Sequence, residues 1–498
     1  MSTVLEPPAP PVALAAPVDP TPGLDRRTWI GFSVVLGAMI LNILDSTIVN
    51  VAAPAIQADL AMTTSSLEWV AAAYTLALAV GLMTGARLGD MFGRKRMLLV
   101  GLVGFVTASA FCSLAWTSGV LVGGRAAQGL FAALMVPQTF GLIREIFPPA
   151  HITKAFTAFG PVIGLSTILG PVVAGLLMKA DLFGTDWRAL FLINLPVGIT
   201  ALVVGARVLP SGAASHAGTR LDVVGTLLLG ATAFLVIFPL VDGRTLGWPT
   251  WTFGVLAAAV PVFVLFVVQQ RSRFRAGLAP LVEPSILRKR SYVSGVAFTL
   301  VFFGCVVGFS LVMGLFLQIG LGYTPMHASL YLAAMAVGAF FGAGVGAWAA
   351  TAVGRPILHL GLTIMAVGSL VLWMSLRTVD GTVGFWSLAP GLFGFGLGMG
   401  MIFVPLFSII ISEIDDHEVG SASGLLESLQ QLGAALGVAV LATLFFDKLA
   451  IEDGGPQAVV AAGRHLVATE DTLLVIVALT VVAWVLGWLL PRKAREQV

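Results

Sequence analysis

The sequence predicts an all-α polytopic membrane protein, and three observations carry that prediction. Of its 498 residues, 58% are hydrophobic and only 10% are charged, against about a quarter charged in an average soluble domain. The apolar residues fall in blocks of about 20, the length at which a helix rising about 1.5 Å per residue crosses a hydrocarbon core of about 30 Å. Lys and Arg gather in alternate loops, the bias that marks the cytoplasmic side of a membrane protein.

Taken in order, residues 1–26 are rich in Pro and Ala and read as a disordered cytoplasmic tail. They lack the basic stretch, short apolar run and cleavage site of a signal peptide. Fourteen spans follow, beginning near Trp29, Leu67, Met97, Val120, Phe156, Trp187, Val223, Trp251, Tyr292, His327, Pro356, Phe385, Ser421 and Thr472. An even number places both termini on one side. That side holds Arg26, Arg27, Arg87, Arg94, Lys95 and Arg96, then Arg271, Arg273, Arg275, Arg288, Lys289 and Arg290, and finally Arg492, Lys493 and Arg495. The other face carries only Lys179, Arg188, Arg244, Arg377, Lys448 and Arg464. Both termini are therefore expected in the cytoplasm of a cell whose inner membrane the chain spans. The acidic turn at Glu413, Asp415, Asp416 and Glu418 runs against the pattern, but acids weigh little in that rule.

A faint internal repeat organises these spans. Gly85 and Ala86 are followed by Gly93 and Arg94, and Gly346 and Ala347 are followed at the same spacing by Gly354 and Arg355. The match pairs spans 2 and 3 with spans 10 and 11 and leaves two helices inserted between two halves. The expected division is a six-helix bundle over 27–210, a loop and two inserted helices over 211–275, a loop and second six-helix bundle over 276–491, and a tail over 492–498. Parallel halves with the substrate path between them are a known transporter plan.

Other function classes find little support. Cys112 and Cys305 both lie in apolar runs, where a thiol is an ordinary packing group. No metal-ligand spacing is present, and neither metal nor cofactor is expected. No basic stripe with interleaved aromatics suggests nucleic acid. An enzyme would need clustered His, Asp or metal ligands at membrane depth, and a sensor would need a soluble domain, yet the longest expected loop runs only from Phe446 to Asp471.

A few residues carry chemistry. At the end of span 2, Gly85, Gly89, Asp90, Gly93, Arg94 and Lys95 make a tight turn in which glycines let helix ends approach and an acid sits among basic residues. It reads either as a charged latch that holds one conformation or as an ordinary basic loop. Asp45 lies about 24 Å along the helix from Trp29, toward the outer third of span 1. A carboxylate at membrane depth costs roughly 2.5–3.5 kcal/mol and is a functional candidate by default. It reads as a site that exchanges a proton for a cationic substrate, or as a structural hydrogen-bonding acid. Glu427, with Ser428, Gln430 and Gln431, is a second acid, about 9 Å inside the cytoplasmic end of span 13; a hydrated acid near the headgroups is the alternative. Arg125 is the basic side chain expected well inside a span and needs a partner there, with Asp45 the match in depth. Span 5 has Gly160, Pro161, Gly164, Gly170, Pro171 and Gly175, a composition that suits a bent, closely packed pivot.

These stretches resemble a known family. The run from Gly85 to Arg96 is similar to the loop signature called motif A of the major facilitator superfamily, except that Met91 stands where a basic residue is common. The segment from Asp45 through Thr47 and Asn50 to Pro54 resembles the span 1 signature of that family's fourteen-helix drug:proton antiporter branch. Arg125, Gln128 and Gly129 resemble its motif B, and the span 5 glycines and prolines its motif C, which is associated with export. Trp187, Arg188, Phe191, Asn194 and Pro196 are also similar to the opening of its span 6. The resemblance covers the first half well and the second thinly. It implies the major facilitator fold and a monomeric, proton-coupled antiporter that exports amphipathic compounds, cationic ones included. On this reading Asp45 is the leading proton site and Glu427, where such homologues often carry an uncharged polar residue, a secondary one; Arg125 would tune Asp45, and the motif A residues would gate the cytoplasmic side. The alternative cargoes are lipid or a self-made metabolite; a membrane sensor or enzyme is the remote alternative.

Overall fold

The computed structural model describes residues 25–492 apart from 149–150, 152–165, 167–169, 171, 182–183, 212–220, 244–245, 279, 283–284, 379–382, 411, 415–418 and 451–456. Its long helices are α1 (Arg26–Asp59), α2 (Thr64–Phe92), α3 (Arg94–Ser113), α4 (Ser118–Ile146), α5 (Asn194–Val208), α6 (Val223–Asp242) and α7 (Thr250–Arg275). They continue with α8 (Arg290–Leu315), α9 (Pro325–Ala352), α10 (Pro356–Thr378), α11 (Phe385–Ile410), α12 (Val419–Ala450) and α13 (Gln457–Gly487). A short helical turn, Ala189–Leu192, leads into α5, and a π-helical turn, Phe316–Gly320, extends α8. Among the described residues no strand occurs. All thirteen helices are long and apolar enough to cross a membrane, α5 together with the turns before it. The chain is an all-α, multi-pass membrane protein.

The expected span beginning near Phe156 lies outside the described residues, as do Gly160, Pro161, Gly164 and Pro171; residues 172–180 are helical. The other expected starts fall close to observed helices except the last. Its start was expected at Thr472, but α13 begins at Gln457, and α12 runs to Ala450. Arg464, His465, Glu470 and Asp471 lower the local hydropathy, and a helix that continues past the hydrocarbon no longer looks apolar. The long loop expected between Phe446 and Asp471 is correspondingly shorter. α1 likewise passes through Pro54 and continues to Asp59.

Local chemistry sets the helix starts. Thr63, Thr117 and Thr324 accept hydrogen bonds from the backbone amides of Ser66, Val120 and His327, capping α2, α4 and α9. Between α2 and α3 the turn needs Gly93 at φ 92°, and Gly354, before α10, has φ 67°.

Helices pack through bare glycine backbone. A Cβ at Gly85 on α2 would lie 2.1 Å from the Ala133 carbonyl oxygen of α4, and one at Gly346 on α9 would lie 2.6 Å from the Met401 carbonyl oxygen of α11. The repeat seen in the sequence therefore recurs in space: α2 meets α4 as α9 meets α11. By the same order α1 corresponds to α8. The inserted pair α6–α7 is tied down at the end that Arg94 shares. There Asp222 caps α6 through Gly225 and accepts from Gln269 at 2.7 Å and Gln270 at 2.5 Å on α7. At its other end Asp242 accepts from the Trp69 indole of α2 at 2.8 Å.

Candidate functional site

The interior of the first half holds a closed polar network inside an otherwise apolar wall. Asp45 is 0% and Arg125 1% exposed. The Arg125 guanidinium donates to Asp45 Oδ2 and, at 2.8 Å, to Gln128 Oε1. Asp45 Oδ1 accepts from Gln128 Nε2 at 2.7 Å and from Asn194 Nδ2 at 2.8 Å. Asn194 and Gln128 both also reach Ser109 Oγ, whose hydroxyl donates to the Phe191 carbonyl at 2.9 Å. Arg125 Nε donates to the Val70 carbonyl at 3.2 Å, and the guanidinium lies 4.2 Å from the Tyr74 ring centroid. Tyr74 in turn donates to Asn42 at 2.6 Å.

This geometry follows from helical spacing. Arg125 and Gln128 are three residues apart on α4 and so share one face. They reach across to Asp45 on α1, while Asn194 enters from the first turn of α5. Gly129, where a Cβ would lie 2.3 Å from the Tyr74 carbonyl oxygen, lets α4 approach α2 closely enough for Arg125 to find Val70. Two buried charges are tolerable only when paired and well hydrogen-bonded; here the pair is made, both carboxylate oxygens of Asp45 accept, and Arg125 donates through Nε and Nη1. One carboxylate thus ties together α1, α4 and α5.

The structure brings Asp45 and Arg125 together, the pairing that depth alone left open. Glu427 is elsewhere. It is half-buried on α12 and bonded to Gln431. Its near neighbour Gly424 lies against Met83 of α2, whereas the network meets α2 at Val70, so the two acids are roughly 15 Å apart along the bundle axis.

The motif A turn forms a separate cluster. Arg94 pairs with Asp90 at 3.2 Å and approaches Glu145 of α4 at 3.8 Å. Gln138 of α4 donates to the Gly85 carbonyl at 2.8 Å and covers Gly89. Lys95 takes no part in the ion pairs described there; it donates to the Leu209 carbonyl at 2.8 Å, past the end of α5. Burial pushes the Glu145 carboxyl above its ordinary range, an effect that Arg94 opposes and Asp90 reinforces. On the opposite face Asp59 accepts from Arg188 at 2.7 Å and from the Trp187 indole at 3.0 Å, which together hold its carboxyl below the usual range. Of the span 5 motif, Gly170 lies against Thr47 Oγ1, close to Asp45, and Gly175 lies against Met326 and Ser329 of α9.

Sequence reasoning gave Gln128 and Asn194 no role in coupling and did not single out Ser109, Tyr74 and Asn42; the i, i+3 spacing of Arg125 and Gln128 was the available signal. A concavity of about 700 Å³ lies on the outer flank of α3 and α4 among Val100, Val103 and Phe111, and none of the network lines it. Among the described residues no group of three or more His, Cys, Asp or Glu is placed to hold a metal ion.

Comparison with known proteins adds lineage to this geometry. The profile of the Major Facilitator Superfamily matches residues 35–438. A probable actinorhodin transporter of Streptomyces coelicolor is 45% identical over 457 residues, covering 90% of this chain and 79% of that protein. The puromycin resistance protein pur8 of Streptomyces alboniger is 33% identical over 475 residues, covering 93% and 92%. In fold the chain resembles a bacterial homologue of the human drug peptide transporters, with a TM-score of 0.64 at 16% identity over 93% of this chain and 97% of that one.

Proposed function

The chain belongs to the Major Facilitator Superfamily, and on that premise we propose that it is a proton-coupled antiporter exporting amphipathic small molecules, antibiotics among them, across the cytoplasmic membrane. The face that carries Arg94 is the cytoplasmic one, both termini lie there, and the protein acts as a monomer. Residues 27–210 and 276–491 form the two rocking halves, with the inserted helices of 211–275 between them. Export is supported by the relatives, named for actinorhodin transport, tetracenomycin C resistance and export, and puromycin resistance.

The observation that carries proton coupling is the fully buried Asp45–Arg125 pair. When a proton reaches Asp45, its attraction for Arg125 ends, while Arg125 keeps Gln128, the Val70 carbonyl and the Tyr74 ring as partners. Protonation therefore loosens α1 from α4 without stranding the guanidinium. Inward proton flow releases about 2.3 kcal/mol per charge per 100 mV and would drive cargo outward. Glu427, at a different depth on α12, is the secondary proton site, and the Asp90–Arg94 pair gates the cytoplasmic side.

The test is efflux of actinorhodin-like, cationic and lipid cargoes from everted vesicles, with and without a protonophore. Wild-type export should collapse when the gradient does, and Asp45→Asn should abolish coupled export while the protein still reaches the membrane. Transport indifferent to the protonophore would remove the coupling reading.

A further inference from the structure

A buried acid that the sequence gave no reason to single out lies on the seam between the two halves. Glu68 is 3% exposed and lines a cavity of about 20 Å³ together with Val49, Ala53 and Leu67 of the first half and Leu311, Leu315 and Phe446 of the second. That volume holds about one water molecule. The seam closes at the face opposite Arg94, where Gly175 also meets Met326 and Ser329.

The position of Glu68 in the chain is what gives it meaning. Three successive residues of α2 reach three different parts of the molecule. Glu68 faces the second half, the Trp69 indole donates to Asp242 of the inserted pair, and the Val70 carbonyl accepts from Arg125. On α1 the same connection recurs, since Val49 on the seam is one turn beyond Asp45. Any shift of Arg125 or Asp45 is thus delivered to the seam through two helices.

We propose that Glu68 is the positioning residue through which the Asp45–Arg125 network controls closure of this seam, its carboxylate stabilising the closed state. The proposal rests on the coupling reading above for its purpose, though not for its test. The charged groups on the elements around Glu68 are Asp45 and Asp59 on α1, with Arg26 and Arg27 at its far end, Asp242 on α6, and on α12 Glu427 toward the other end and, by sequence, Asp447 and Lys448 just past Phe446. On α8 the charged residue is Arg290, at the far end.

The experiment is alkylation of an Ala53→Cys reporter by a hydrophilic maleimide, with the full chain in nanodiscs. Both native cysteines are buried, so the reporter dominates labelling. Wild type should label slowly. Glu68→Ala and Glu68→Gln should both label roughly fivefold faster, and Glu68→Asp should return toward wild type. Fast labelling in Glu68→Ala with a wild-type rate in Glu68→Gln would mean the side chain only fills space, and that sinks the proposal; so does an unchanged rate in both. Should the alanine variant not fold, the glutamine and aspartate variants decide the matter. The link to the network is read by a cycle with Asp45→Asn: the double variant Asp45→Asn/Glu68→Gln should label no faster than the faster single one, and additive effects would break the link. Neither readout needs cargo or a proton gradient, so a failure of coupled export and a failure of this proposal are separable.

Discussion

The two halves of the molecule solve the same packing problem with opposite chemistry. In the first half α1 is joined to α4 by Asp45 and Arg125, a buried ion pair held further by Gln128. In the second half the corresponding helices, α8 and α11, are joined by Phe309 stacked on Phe395, with ring centroids 3.8 Å apart and both side chains 0% exposed. The glycine contacts that bring α2 onto α4 and α9 onto α11 recur between the halves; the group placed at the α1–α4 and α8–α11 crossings does not. An aromatic stack has one state, whereas a carboxylate–guanidinium pair has two, depending on a proton. On the coupling proposed above, switching belongs to the first half and rigid support to the second.

The largest expected effects test that contrast directly. Arg125→Ala leaves Asp45 buried without its cation, a change that typically costs about 3–5 kcal/mol, and Phe309→Ala opens a cavity that costs a similar amount, about 3–5 kcal/mol. Thermal unfolding should therefore report two comparably weakened proteins. Efflux should separate them: whatever Phe309→Ala protein remains should still lose export when a protonophore is added, whereas Arg125→Ala should not transport at any gradient. Loss of gradient dependence in the Phe309 variant would erase the division of labour.

Next in size are the paired glycines. Gly85→Val and Gly346→Val each drive a side chain into a backbone carbonyl across the helix pair, and overpacking of this kind costs about 1–3 kcal/mol. If the halves share one scaffold, the two variants should lower the unfolding temperature by similar amounts, and a large asymmetry would argue that the repeat is only skin-deep. Comparable in size is Asn194→Ala, which removes one hydrogen bond to a charged oxygen, worth about 1.5–3 kcal/mol. It should cut the coupled export rate by about tenfold or more while leaving the second half untouched by hydrogen exchange.

These contrasts show how much was legible in the residues themselves. Spans could be placed because hydrocarbon thickness dictates an apolar length, and the motif A turn because glycine and charge are rare together in a membrane. Asp45 and Arg125 stood out because charges at that depth are costly. Gln128, Asn194 and Ser109 did not, since an uncharged polar residue in a membrane helix is ordinary until its neighbours are known. Glu68 sits in the first turns of α2, where an acid reads as headgroup-facing; only the fold turns it toward the second half. The start of α13 was missed for the converse reason, as helix geometry continues where the apolar signal stops.

The smallest expected effect concerns the motif A cluster, whose acid the second half lacks because Thr351 stands at the place of Asp90 in the repeat. Asp90 and Glu145 compete for Arg94, and Glu145 is the one whose carboxyl burial holds above the ordinary range. As pH rises through that raised value Glu145 ionises and draws Arg94 toward α4, so Asp90 holds it most firmly at the acidic end. Because both pairs are partly exposed, each is worth no more than about 1 kcal/mol. Asp90→Asn should accordingly slow turnover by a few-fold at most without weakening cargo binding, and its deficit should be larger on the acidic side and shrink as Glu145 becomes charged. Glu145→Gln should remove that pH dependence. A deficit that is the same at every pH would mean that Arg94 answers to Asp90 alone.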